Sequence, residues 1–75
     1  QQAREQKREM EAAEWFERGL ELEQSGLQVE EAAQAYEKAL ELDPHCVGAL
    51  VNLGTIAFHG RQWKKAETFY KRALE

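Results

Sequence analysis

Three side chains could bind a metal: the adjacent His45 and Cys46, and His59, fourteen residues after His45. Neighbours on a helix project in different directions, and no spacing of the kind that zinc ligands use is present. These residues therefore read as surface or interface side chains without a metal. Glu30, Glu31, Glu37 and Glu41 offer carboxylates, the groups of acid and base catalysis. Their helical steps instead give a solvated face that keeps the chain in solution. No glycine-rich phosphate loop and no nucleophile motif occurs, so nothing supplies both a reactive group and a partner to activate it. The chain reads as a non-enzyme with no cofactor. Asn52 is of another kind: its amide both donates and accepts hydrogen bonds, which suits the backbone of a bound peptide as well as an exposed helix surface.

The elements that would position such a residue follow from composition. The 75 residues make one domain at most, and a chain this short buries only about 60% of the surface its unfolded form exposes. Hydrophobic residues are 43% of the chain, but eleven of them are alanine. Thin, close packing is implied. Charged residues at 32% and a net charge of −4 favour a soluble protein and disfavour nucleic acid or anionic lipid. The basic cluster Arg4, Lys7 and Arg8 is diluted by neighbouring glutamates. The lone Cys46 excludes an intramolecular disulfide and fits a reducing compartment, so a cytoplasmic location is expected. No apolar run approaches the roughly 18 residues of a membrane span, and QQAREQKREME holds no signal core. A chain opening on Gln1 reads as a piece of something longer.

One proline and five glycines divide stretches rich in helix formers. Helices are predicted over about 3–25, 29–42, 44–59 and 62–75, an all-α chain. Gly26 and Gly60 are expected to close helices in the left-handed conformation. Pro44 should end the second helix and open the third, with Asp43 as its cap. Residues 1–11 form a polar helical extension with little to bury.

Shifting the chain by 34 residues lays Ala32 on Ala66, Tyr36 on Tyr70, and Ala39-Leu40-Glu41 on Ala73-Leu74-Glu75. A fixed period that repeats side-chain size marks a repeated packing unit. The alanines let neighbouring helices approach, and the tyrosines fill the space beside them. The pattern resembles the tetratricopeptide repeat family, written W-x2-L-G-x2-Y, A-x3-F, P. Residues 45–75 carry Leu50, Leu53, Gly54 and Ala57, then Ala66, Tyr70 and Ala73, with Trp63 as the bulky residue opening the second helix. Residues 12–44 carry Trp15, Gly19 and Leu22, then Ala32, Tyr36, Ala39 and Pro44, with Arg18 in the leucine position. Trp15 to Ala32 is one residue longer than Leu50 to Ala66, which places an extra residue near Leu27 and Gln28. An alternative register without it pairs Phe16 with Leu50; the first is preferred because it sets Gly19 opposite Gly54.

The resemblance implies an α-solenoid of antiparallel helical hairpins, two repeats and four helices, whose first helices line a groove for an extended or helical peptide. In this register the groove residues are Phe16, Leu20, Glu23 and Gln24 from the first repeat, and Val51, Asn52, Thr55, Phe58 and His59 from the second. One branch of the family grips the terminal carboxylate of chaperones with Lys and Asn from one repeat and Asn from the next. Asn52 matches the third position, but Phe16 and Leu20 occupy the first two, so no chaperone-tail clamp is expected. The partner is a protein or peptide. Alternatively, the chain self-associates: such stacks usually need at least three repeats, and the last helix is expected to leave Phe69 and Ala73 uncovered, favouring a homodimer.

Overall fold

A computed structural model describes residues 2–75 of the chain. Four helices follow in order: α1 (Gln2–Gln24), α2 (Val29–Leu42), α3 (Val47–His59) and α4 (Trp63–Leu74), with no strand among the described residues. The helices pack as two hairpins, α1 with α2 and α3 with α4, and α2 joins them by packing on α3. This is the all-α hairpin stack that the repeat implies.

The hairpins close because glycine removes a side chain where tyrosine needs room. A Cβ added to Gly19 would lie 2.4 Å from Cε1 of Tyr36, and one on Gly54 would lie 2.6 Å from Cε1 of Tyr70. Gly19 and Gly54 therefore do the same job 35 residues apart, while their tyrosines are 34 apart. The extra residue sits in the first turn, where Leu27 is 91% exposed. Trp15 thus corresponds to Leu50, and Phe16 to Val51.

Between the hairpins lies a core of small residues around one large ring. Ala12, Ala32, Tyr36, Ala39, Ala49 and Leu53 form it, with Phe16, Leu20, Leu40, Cys46 and Phe69 packed against it. Cys46 serves as a small hydrophobe here. Phe69, expected to be left uncovered, is half-buried on this cluster, because the stack turns that side of α4 towards the first hairpin.

The helix ends differ from expectation in two places. Helix α3 begins at Val47 rather than Pro44, with Cys46 at its N-cap. Asp43 caps a turn instead of that helix: its Oδ1 accepts from the His45 N–H at 3.0 Å, and its carbonyl accepts from the Cys46 N–H at 3.0 Å. Pro44 holds Asp43 extended, as its ring requires. The turn consumes the residues that were expected to start the helix.

The second difference concerns the turn glycines. Gly26 has φ 73°, as expected, and the Ser25 hydroxyl donates to the Leu22 carbonyl while accepting from the Leu27 N–H. Gly60 has φ −84°, and the left-handed position falls on Arg61 at φ 61°. The Gln62 N–H reaches the Ala57 carbonyl and the Arg61 N–H that of Phe58, the paired bonds of a Schellman ending. Glycine comes one residue too early for this ending. Since the left-handed conformation costs an L-residue about 1–2 kcal/mol, Arg61→Gly is expected to stabilise the domain by about 1 kcal/mol. A thermal melt that fails to rise would contradict it.

The polar extension is not idle. Helix α2 has no basic residue in its last turn. Arg8 of α1 supplies one, its Nη2 donating to the Glu41 carbonyl at 3.3 Å. A cation there complements the negative end of the helix. Arg8→Ala should cost about 0.3–1 kcal/mol, read as a small drop in denaturation midpoint that added salt diminishes.

Candidate protein-binding surface

The surface is built around the Tyr36 hydroxyl. Its ring is wholly buried because Gly19 and the alanines of α2 make room for it. Its hydroxyl emerges between α1 and α3, donates to Glu23 Oε1 at 2.5 Å and accepts from Asn52 Nδ2 at 3.1 Å. Three helices are thereby tied by one polar chain. Burial, reinforced by the Glu23 hydrogen bond, raises the phenol well above its ordinary value. The neutral form is the one the fold prefers, so this contribution is complete below about pH 10 and is lost as the unfolded chain ionises above it. Tyr36→Phe should therefore flatten the fall in stability above about pH 10.

Asn52 enters this surface already anchored. One amide N–H is committed to Tyr36, which fixes the side chain and leaves its carbonyl oxygen and second N–H at the half-exposed surface. One turn on, the Thr55 hydroxyl donates to the Val51 carbonyl at 3.0 Å and lies 2.9 Å from the Tyr70 hydroxyl. Val51 and Phe58, on the same helix, are 39% and 51% exposed. Phe58 also stands edge-on to Trp63, ring centroids 5.1 Å apart, and to His59 at 6.0 Å.

The other residues expected in the groove are distributed unevenly. Phe16 is half-buried: its ring centroid lies 5.8 Å from that of Tyr36, and a Cβ on Gly48 would come within 2.7 Å of it. It fills the seam between α1 and α3. Leu20 is half-buried against the core, Glu23 is engaged by Tyr36, and Gln24 and His59 are exposed. Of the residues expected to pack, Ala32, Ala39, Leu50, Leu53, Ala57 and Ala66 are buried, and Leu22, Tyr70 and Ala73 are half-buried. Trp15 and Trp63 are not core residues, at 40% and 56% exposure. Trp15 lies on the outer side of the first hairpin, where with Arg18, Leu22 and Ala35 it lines a shallow depression that no helix among the described residues covers. Gly48, Ala12 and Ala35 were missed. Gly48 had a signal, since glycine inside a helix costs roughly 1 kcal/mol and wants a packing reason.

A family model described as the tetratricopeptide repeat matches residues 17–75. The chain belongs to the tetratricopeptide repeat family. Comparison with curated proteins and with solved structures gives no match. Tetratricopeptide repeats generally mediate protein–protein interaction and generally act as non-catalytic scaffolds. No helix among the described residues is long and apolar enough to cross a membrane, and no group of three or more His, Cys, Asp or Glu among them could hold a metal ion.

Proposed function

We propose that this tetratricopeptide repeat pair binds an extended or helical peptide of a partner protein across the surface formed by α1 and α3. The observation that supports this reading is Asn52, held by Tyr36 with hydrogen-bonding capacity to spare and set beside exposed Val51 and Phe58. A fixed amide loses little entropy on binding a peptide backbone, and the flanking apolar surface supplies the hydrophobic part. Phe16 and Leu20 in place of cationic or amide side chains argue against gripping a terminal carboxylate. The Glu23 carboxylate and the net charge of −4 oppose nucleic acid and anionic lipid in the same way.

A peptide array of acetylated and amidated 15-mers, with free-carboxylate copies beside them, tests this. Captured sequences are expected to bind with blocked termini as well as with free ones. Asn52→Ala and Leu20→Glu, each verified as folded by circular dichroism, are expected to weaken capture at least tenfold. Peptides held equally well by both variants would place the binding surface elsewhere.

A further inference from the structure

The net charge of −4 conceals a segregation along the chain. Residues 58–75 hold five of the ten Lys and Arg but only two of the fourteen Asp and Glu, a net charge of +3, so residues 1–57 carry −7. From Pro44 to Ala66 there is no carboxylate, and the only formal charges, with His neutral, are Arg61, Lys64 and Lys65. These three stand together at the α3–α4 turn and are exposed. The one ion pair among the described residues joins Lys38 to Glu41 on α2, so nothing in the chain neutralises them.

Neither the turn nor the helix gains from these cations. Arg61 occupies the left-handed position that glycine would take with less strain. Lys64 and Lys65 lie in the first turn of α4, which has no acidic residue, and a cation there opposes the helix dipole.

Exposed aromatic surface adjoins them. Phe58 and Trp63 are 51% and 56% exposed, and their rings meet edge to face at 5.1 Å. Residues 58–65 are exposed throughout, so the two rings and the three cations make one continuous patch. Phe58 lies two helical turns beyond Val51 on α3, which makes this patch the end of the α1/α3 surface and continuous with it.

We infer that the peptide bound across α1 and α3 carries side-chain carboxylates at the end that lies over the α3–α4 turn. There Arg61, Lys64 and Lys65 receive them, beside an apolar residue seated on Phe58 and Trp63. The inference rests on the α1/α3 reading and adds the partner's chemistry to it. A peptide acidic throughout is excluded, because the first hairpin is itself negative and repels carboxylates elsewhere along the surface. No chain terminus is needed, since the cations stand at the turn and not at Phe16 or Leu20.

Exposed ion pairs are individually weak, roughly 1.4- to 5-fold in affinity each, so the test combines three. The probes are ten-residue sequences drawn from Ala, Leu, Phe, Ser and Asn, each printed in capped form with four Glu at one end or the other, or with four Ser in the same places. Captured sequences are then titrated by fluorescein anisotropy. At about 50 mM NaCl one Glu-bearing form is expected to bind roughly fivefold or more tighter than its Ser counterpart, an advantage that about 0.5 M NaCl removes. A protein with Arg61→Gly, Lys64→Glu and Lys65→Glu should lose the advantage while melting no lower than the original, which separates lost recognition from lost folding. Equal binding of Glu and Ser forms, or an advantage kept by the triple variant, overturns the inference; the α1/α3 reading stands if Asn52→Ala and Leu20→Glu still weaken the Ser forms. Binding indifferent to Asn52→Ala and Leu20→Glu overturns both. Without a Glu advantage, a salt-sensitive dimer in sedimentation that the triple variant dissociates overturns the inference in favour of a second copy, and phosphatidylserine vesicles bound by the original protein alone overturn it in favour of a membrane.

Discussion

Tyr36→Ala is expected to remove about 3–5 kcal/mol, a large fraction of the stability of the domain. The ring is wholly buried at the centre of the cluster that joins the two hairpins. Truncating a buried aromatic costs about 3–5 kcal/mol, whereas a domain of this size holds about 4–11 kcal/mol in all, at roughly 0.05–0.15 per residue. The alanines and the glycine beside it are too small to fill the void, and Phe16, 5.8 Å away between ring centroids, is itself seated against Gly48. Tyr36→Phe separates the ring from its hydroxyl. It keeps the packing and strands Glu23 and Asn52, both half-buried, for about 1–2 kcal/mol. Urea denaturation followed by circular dichroism measures both. A Tyr36→Ala protein that loses less than about 2 kcal/mol would mean that the cluster is not the keystone of the stack.

The second large effect is an inversion of ordinary helix propensity. Alanine in place of a mid-helix glycine normally stabilises by roughly 1 kcal/mol. At Gly19 the added methyl would sit 2.4 Å from a fully buried ring. Overpacking of that kind costs about 1–3 kcal/mol, so Gly19→Ala should destabilise on balance. Gly54→Ala meets a similar contact at 2.6 Å, but Tyr70 is only half-buried and has room to swing outward, so its cost should be smaller. Coupling supplies the sharper measurement. Combined with Tyr70→Ala, which removes the obstructing ring, Gly54→Ala should turn stabilising. Additive free energies in that double-mutant cycle would disprove the glycine–tyrosine pairing.

These contacts show why some of the molecule could be read in one dimension and some could not. Gly19 and Tyr36 are legible because the period repeats them: the later copy, Gly54 and Tyr70, has the same spacing but for one turn residue. Helix ends set by Pro44 and Gly26 are legible because each imposes its own backbone geometry. The Arg61 position was half legible: the register that sets Gly19 on Gly54 also sets Gly26 on Arg61, so the glycine at 60 comes one residue early, and hydrogen bonds across the turn place the left-handed conformation on Arg61. Trp63 misled for a related reason. A large aromatic residue suggests a core, but whether it is covered depends on which helix lies over it.

The four helices, their pairing into hairpins and their family were determined by the chain's own residues. Propensity, helix-stopping residues and periodic side-chain size act locally or between adjacent turns, where spacing along the chain fixes spacing in space. Tertiary structure alone decided that Phe16 fills the seam against Gly48 and that Asn52 is committed to Tyr36 before any partner arrives. Each depends on how one hairpin is rotated and translated against the next, a relation that no spacing along the chain encodes.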